Sequence, residues 1–116
     1  MENRKKAIEY FHAKPERLNC AQAVAKSYQK MFNIPDETIS DFKDYGGGRA
    51  PEGTCGALFA ANYILCTQGR GDVVDEFKKA AGSTKCRELK KEFKFPCEQC
   101  VSLGDRLVAE KLAIKD

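Results

Sequence analysis

Apolar residues recur at helical spacing in almost every segment of this chain, and prolines, glycines or capping residues separate one such segment from the next. A clear example is Cys20, Val24 and Tyr28, which follow Asn19, a favourable N-cap residue, at helical intervals. The sequence contains no alternating run of β-branched residues, the pattern that is typical of a strand. It therefore predicts an all-α fold, a small helical bundle of about five to six helices.

The helix boundaries follow from the residues that start and stop helices. Thr54 caps the most apolar segment, which Gly69 ends, and this segment should form the central, buried helix. Pro96 lies in the first turn of the last segment, where a proline is tolerated. The expected helices are one that ends before Pro15, then 20–32, 36–45, 55–67, 72–81, 85–93 and 96–114. A chain of 116 residues suits one domain, and we expect residues 1–116 to form a single cysteine-rich unit.

Charge and hydropathy exclude two classes of partner. The net charge is +3 and the basic residues are mixed with acidic ones, so we expect no nucleic acid. The longest apolar stretch, residues 57–66, is shorter than the roughly 20 residues of a membrane span. Residues 1–6 lead into no apolar run, so we expect no secretory signal and a cytoplasmic location. Homodimerisation is compatible with so small a bundle.

Six cysteines in this chain are the strongest functional signal. In a reducing cytoplasm such thiols indicate metal ligation, catalysis or redox sensing. Four of them lie in the first turn of an expected helix, and Cys100 lies one turn further along the last helix. A helix N-terminus stabilises a thiolate and lowers its pKa below about 8.5. The four cysteines at helix starts are Cys20, Cys55, Cys86 and Cys97.

Cys97 and Cys100 form a CxxC motif and are the candidate catalytic pair. No strand precedes them, so a thioredoxin-like fold is not indicated. Val101 stands where a haem-attachment motif needs histidine, so covalent haem is not expected. The pair can close a disulfide or supply two ligands of a four-cysteine metal site, and the spacing alone leaves both open.

A glycine-rich loop, a sixth cysteine and a single histidine are further candidate features. A glycine-rich loop leads into Cys55, and Gly53, Thr54 and Gly56 could bind an anionic cofactor at the helix start, although no P-loop motif is present. Cys66 lies near the C-terminal end of the same helix, and we expect it to be a core thiol. His12, the single histidine, is expected to be partly exposed rather than paired with a thiol.

Several short motifs together resemble the bacterial and archaeal C_GCAxxG_C_C family, for which redox activity has been proposed. They are Asn19-Cys20-Ala21-Gln22-Ala23-Val24, Gly46-Gly47-Gly48, Gly53-Thr54-Cys55-Gly56-Ala57, Cys86-Arg87-Glu88-Leu89 and the pair Cys97/Cys100. The resemblance covers roughly residues 17–108. The middle motif departs from the family name, because Cys55 precedes Gly56 and Ala60 replaces the last glycine.

The resemblance implies a helical domain with redox activity and an unidentified redox partner. A similar module occurs in split-Soret cytochromes, where it accompanies haem and an iron–sulfur centre. Our first hypothesis is therefore an iron–sulfur cluster or another metal bound by thiolates. A metal-free dithiol/disulfide oxidoreductase or sensor that uses Cys97–Cys100 or Cys20–Cys55 is the second, and a structural or partner-binding bundle held together by zinc is the third. The candidate metal ligands are Cys20, Cys55, Cys86, Cys97 and Cys100.

Overall fold

The computed structural model describes residues 6–12, 18–45, 53–92 and 95–112. Within these ranges the chain forms eight α-helices and one 3₁₀ turn and no strand, which confirms the all-α prediction. The helices are α1 Ala7–Tyr10, α2 Cys20–Ser27, α3 Gln29–Phe32, α4 Asp36–Asp41, α5 Gly56–Thr67, α6 Val74–Ala81, α7 Cys86–Lys91 and α8 Cys97–Lys111, with the 3₁₀ turn at Phe42–Tyr45. None of the described helices is long and apolar enough to cross a membrane.

The core lies where α2, α5 and α8 pack against one another, with α1 against both α2 and α8. The most deeply buried side chains come from all three helices and include Tyr28, Leu58 and Val101. As expected, α5 is the central helix, because it contacts both α2 and α8 and is apolar around most of its circumference. Gly82 ends α6 in the left-handed conformation that a glycine accommodates without strain.

The helix expected at 20–32 is two helices instead of one. The backbone of Tyr28 leaves the helical region, with φ −110° and ψ 4°, and separates α2 from α3. Its side chain is fully buried, whereas Met31 one turn later is exposed. The apolar stripe continues across the break through Phe32, which is partly buried and stacks on Tyr28, although α3 has no fully buried residue. The expected ends at Pro15, at Gly46, at Phe93 and beyond Leu112 lie outside the described residues.

A close contact between α5 and α8 depends on a glycine. A Cβ atom added at Gly104 would lie 3.1 Å from the carbonyl oxygen of Ala57, in the first turn of α5. Backbone therefore packs against backbone at this point, as small residues permit. Cys100 lies one turn before Gly104, so the same close approach brings its side chain toward the start of α5.

A buried carboxylate joins α1, α2 and α8. Asp105 is 5% exposed, and one of its carboxylate oxygens accepts a hydrogen bond of 2.8 Å from the backbone N–H of Ala7. The other accepts one of 2.9 Å from the hydroxyl of Tyr28, which also lies 2.9 Å from the Asp105 carbonyl oxygen. This network satisfies a backbone donor in the first residue of α1, where no intrahelical partner exists.

Candidate thiol site

The cysteines lie at helix starts, as the sequence predicts. Cys20, Cys86 and Cys97 are the first residues of α2, α7 and α8. Cys55 is the N-cap residue of α5, so this helix begins one residue later than expected. Thr54 is not the cap, because it takes part in an antiparallel bridge with Lys85. Asn19 does cap α2: its side chain accepts a hydrogen bond from the backbone N–H of Gln22.

Three of the six thiols meet inside the bundle. Cys20 comes from the start of α2, Cys55 from the start of α5 and Cys100 from the second turn of α8. Their residues are 5%, 3% and 3% exposed, respectively. The Cys55 thiol is in hydrogen-bonding contact with both the Cys20 thiol and the Cys100 thiol. We call Cys20, Cys55 and Cys100 the buried thiol chain.

Gly56 makes room for this arrangement. A Cβ atom at this position would lie 2.6 Å from the sulfur of Cys20 and 2.8 Å from the carbonyl oxygen of Tyr45. The side-chain amide of Asn19 donates to the carbonyl oxygens of Phe42 and Lys43 and so ties the start of α2 to the turn that carries Tyr45. A side chain at residue 56 would therefore push on the sulfur and on fixed backbone at once.

Replacing Gly56 with alanine is expected to destabilise the fold by about 1–3 kcal/mol, as overpacking of a core does. Urea unfolding of the reduced protein measures this change. Gly69→Ala is the control for the thiol readout, because a Cβ at Gly69 would meet open space; its φ of +67° adds a backbone strain that Gly56 does not have, so the two stability changes have different causes. The two variants should also differ in the thiol chain: only Gly56→Ala should change the alkylation rate of Cys20. Equal alkylation in both variants would contradict the packing argument.

The thiol of Cys55 is protonated at neutral pH. Its pKa is raised from an ordinary 9.0 to about 12, chiefly by the hydrogen bond to Cys100, with burial and the charge of an ionised Cys100 acting in the same direction. The hydrogen bonds from Cys20 and from the backbone N–H of Leu58 favour the thiolate but are outweighed. The sequence-based prediction of a lowered pKa at this helix start is therefore wrong for Cys55, because a neighbouring thiol and burial outweigh the helix N-terminus.

Cys86 is buried, and the two residues that precede it in the chain lie beside Thr54 and Cys55. The backbone N–H of Cys55 donates a 2.8 Å hydrogen bond to the carbonyl oxygen of Thr84. The hydroxyl of Ser83 accepts from the backbone N–H of Lys85, as expected of a residue that stabilises the start of α7. The starts of α5 and α7 are thus held side by side by backbone contacts.

Cys97 differs from the three thiols of the buried chain because it is partly exposed. It opens α8, a helix of 15 residues, whereas Cys100 lies one turn further in and is buried. The sulfur of Cys100 lies 3.9 Å from the carbonyl oxygen of Phe95, just before the helix. The CxxC motif therefore places one thiol toward solvent and the other in contact with the buried thiol chain.

The buried cysteine side chains have the chemistry of metal ligands. Thiols suit zinc, copper(I) and iron–sulfur clusters by their chemistry. Within the described residues, however, no group of three or more His, Cys, Asp or Glu side chains has an arrangement that could hold a metal ion. The buried thiols as they are placed therefore do not fit a metal.

Cys66 and His12 both lie at the surface. Cys66 is exposed, so the prediction of a core thiol is wrong: the last residues of α5, from Cys66 to Thr67, project beyond the packed part of the bundle. His12 is exposed and stacks on Phe11, with ring centroids 3.9 Å apart, as expected of a histidine without a thiol partner.

The expected anion site at the start of α5 remains a prediction. Gly53 adopts φ +73°, Thr54 pairs with Lys85, and the space at Gly56 is filled by Cys20 and Tyr45. The loop residues from Gly46 to Glu52, on which the prediction also depends, lie outside the described part of the chain.

The helical bundle holds thiols in contact in its interior and presents a CxxC pair at a helix start. These are the features of a cysteine-based redox protein. The chain belongs to the family described as "Putative redox-active protein (C_GCAxxG_C_C)", whose model matches residues 18–111. This confirms the resemblance drawn from the motifs. No curated protein and no solved structure matches the chain, and the similarity to split-Soret cytochromes stays a prediction.

Proposed function

We propose that the chain is a thiol–disulfide redox protein in which Cys97 reacts with an external disulfide and Cys100 resolves the product. The observation that carries this proposal is the difference in burial between two thiols one turn apart on α8. An attacking thiol must be accessible, whereas a resolving thiol needs only to reach its neighbour. Membership of a redox family supports the same conclusion.

The geometry of α8 suits a disulfide between these two residues. Residues three apart on an α-helix have Cα atoms about 5 Å apart. Disulfides span Cα separations of about 4.4–6.8 Å, so the Cys97–Cys100 bond needs rotation of side chains and little movement of the backbone. Cys97 and Cys100 are the first and fourth residues of α8, and Pro96, as its N-cap, does not have to donate a hydrogen bond there.

The thiol–disulfide exchange takes place in two steps, and atoms and electrons balance in each. The thiolate of Cys97 attacks the external disulfide, a mixed disulfide forms, and one external thiol leaves. Cys100 then attacks the Cys97 sulfur, the intramolecular disulfide forms, and the second external thiol leaves with the proton that Cys100 gives up. The external pair is reduced by two electrons and the protein is oxidised by two. In the reducing cytoplasm that we propose as its compartment, a dithiol partner would run the reaction in reverse.

Oxidation with glutathione disulfide tests this proposal. The reduced wild-type protein should form a Cys97–Cys100 bond, and Cys97→Ser should slow the oxidation of Cys100 about tenfold or more because Cys100 itself is buried. Cys66→Ser is the matched control: it removes the other solvent-facing cysteine and should leave the rate unchanged. A Cys97→Ser protein that oxidises as fast as the control would overturn the proposal.

Metal ligation is the second candidate, and the contact of Cys20, Cys55 and Cys100 is the observation that favours it. Because no such group in the described part of the chain could hold a metal ion as placed, this function needs the thiols to rearrange, whereas dithiol exchange does not. Elemental analysis of protein purified without air separates the alternatives. Iron in stoichiometric amount would support an iron–sulfur centre. Zinc whose removal unfolds the protein would support a structural site. A metal-free protein with reversible disulfides supports our proposal.

A further inference from the structure

We infer that the disulfide formed at the surface moves inward along the buried thiol chain, so that the lasting oxidised form of the protein contains a Cys20–Cys55 bond. The inference rests on the proposed function, because an external disulfide must first oxidise Cys97 and Cys100. It goes further, because it makes the domain a carrier that stores two oxidising equivalents in its core.

The order of contacts fixes the direction of the transfer. Cys97 is partly exposed, Cys100 lies one turn further in on the same helix, Cys55 contacts Cys100, and Cys20 contacts Cys55. Cys100, Cys55 and Cys20 thus contact one another in this order, and Cys97, on the same helix as Cys100, is the partly exposed residue from which the order begins. Because neighbouring sulfurs are already in hydrogen-bonding contact, bond formation requires shifts of side chains within the packed interior.

The transfer consists of two exchanges and needs no further oxidant. Cys55, losing its proton, attacks the Cys100 sulfur; the Cys97–Cys100 bond breaks, a Cys55–Cys100 bond forms, and Cys97 takes up the proton. Cys20 then attacks the Cys55 sulfur; the Cys55–Cys100 bond breaks, the Cys20–Cys55 bond forms, and Cys100 leaves as a thiol. The number of disulfides and of thiol protons is the same before and after.

Burial favours a disulfide within the buried thiol chain over one that includes the partly exposed Cys97. A disulfide is uncharged and apolar, so it suits a site in which both residues are no more than 5% exposed. External reductants reach a buried disulfide poorly, since exchange requires access to one of its sulfurs. Reduction of the buried disulfide must then proceed through Cys100 and Cys97. External thiols and disulfides therefore exchange electrons with the protein only at the start of α8.

Peptide mapping in a Cys66→Ser background tests the inference with the full chain. Trypsin cuts after Arg17, Lys26, Arg49, Arg70, Lys94 and Arg106, so the peptides of interest are 18–26, 50–70 and 95–106. A Cys97–Cys100 bond stays inside 95–106, a Cys55–Cys100 bond joins it to 50–70, and a Cys20–Cys55 bond joins 50–70 to 18–26. With Cys66 absent, the linkage of 18–26 to 50–70 can only be Cys20–Cys55, and fragmentation of the linkage of 50–70 to 95–106 distinguishes Cys100 from Cys97.

A time course after a pulse of glutathione disulfide should show the bond inside 95–106 first. This species should then be lost, while the linkage of 18–26 to 50–70 becomes the main product after acid quench and alkylation. Cys20→Ser should stop the transfer at the linkage of 50–70 to 95–106, provided that circular dichroism shows a folded protein. The wild-type time course needs no core variant and decides the matter if Cys20→Ser does not fold.

Two negative results are distinguishable. If the bond stays inside 95–106 at all times, the inward transfer is wrong and the proposed function stands. If Cys97 never enters a disulfide, the proposed function itself is wrong.

Discussion

Replacing Asp105 with alanine is expected to lower the free energy of unfolding by about 3–5 kcal/mol, because hydrogen bonds to a charged group contribute about 1.5–3 kcal/mol each. The variant removes the two acceptors that serve the Ala7 N–H and the Tyr28 hydroxyl. Both partners are fully buried, so water cannot replace the lost carboxylate. The Tyr28 hydroxyl keeps the Asp105 carbonyl oxygen as an acceptor. Most of the lost stability therefore comes from the Ala7 N–H, which loses its carboxylate acceptor.

Urea unfolding of the reduced protein at neutral pH measures this effect. Ser102→Ala is the matched control, since Ser102 is an exposed residue on the same helix and its variant should stay within about 0.5 kcal/mol of the wild type. Asp105→Asn retains one acceptor and should lose less than Asp105→Ala. In a double-mutant cycle, Tyr28→Phe and Asp105→Asn should be non-additive, because the two side chains share a hydrogen bond. Additive losses, or an Asp105→Ala protein as stable as the control, would show that the network contributes little.

Asp105 also shows what the sequence-based analysis missed and why. Cys97, Cys100 and Val108 lie at the spacing of one apolar face of the last helix, and Asp105 follows Val101 on that same face four residues later. A lone acidic residue among apolar ones was therefore a usable signal of a buried network. Its partner Ala7 is 98 residues away and donates through its backbone, which no residue type reveals.

Helix starts were predictable because they are local. Asn19 caps α2 and Pro96 precedes α8, and each fixes a cysteine in the first turn through contacts within a few residues. The convergence of Cys20, Cys55 and Cys100 was not predictable, since it depends on how α2, α5 and α8 cross. The sequence permitted a cluster of thiols, and tertiary packing decides its members and their order.

The two errors about individual cysteines have a common cause. For Cys55, the helix N-terminus was weighed without the neighbouring thiol and the burial that raise its pKa. For Cys66, the expectation rested on its place near the C-terminal end of an apolar helix, which does not show whether neighbouring elements cover that end. In both cases a rule that is valid for an isolated helix was outweighed by the surroundings that packing creates.

Raising the pH is expected to destabilise the folded protein through Cys55. In the unfolded chain this thiol ionises near its ordinary pKa of 9.0, and in the folded protein near a pKa of about 12. Below the lower value both states keep the proton, so the stabilising contribution is fully present. Between the two values the unfolded chain loses a proton that the folded protein retains, and the contribution falls as the pH rises toward the folded pKa. Each unit of difference corresponds to about 1.4 kcal/mol, so the loss approaches about 4 kcal/mol.

A comparison with Cys55→Ala isolates this effect from the other groups that titrate in alkali. The difference in the free energy of unfolding between wild type and Cys55→Ala, measured in urea with a reductant, should shrink by about 3 kcal/mol between about pH 8 and about pH 11. Lysine and tyrosine ionisation occurs in both proteins and cancels from this difference. A difference that stays constant over the range would mean that Cys55 ionises at its ordinary pKa, and the hydrogen-bonding contact with Cys100 would then be in doubt. The same contact controls exchange inside the core, because Cys55 can attack a disulfide only after it gives up the proton that the folded protein retains.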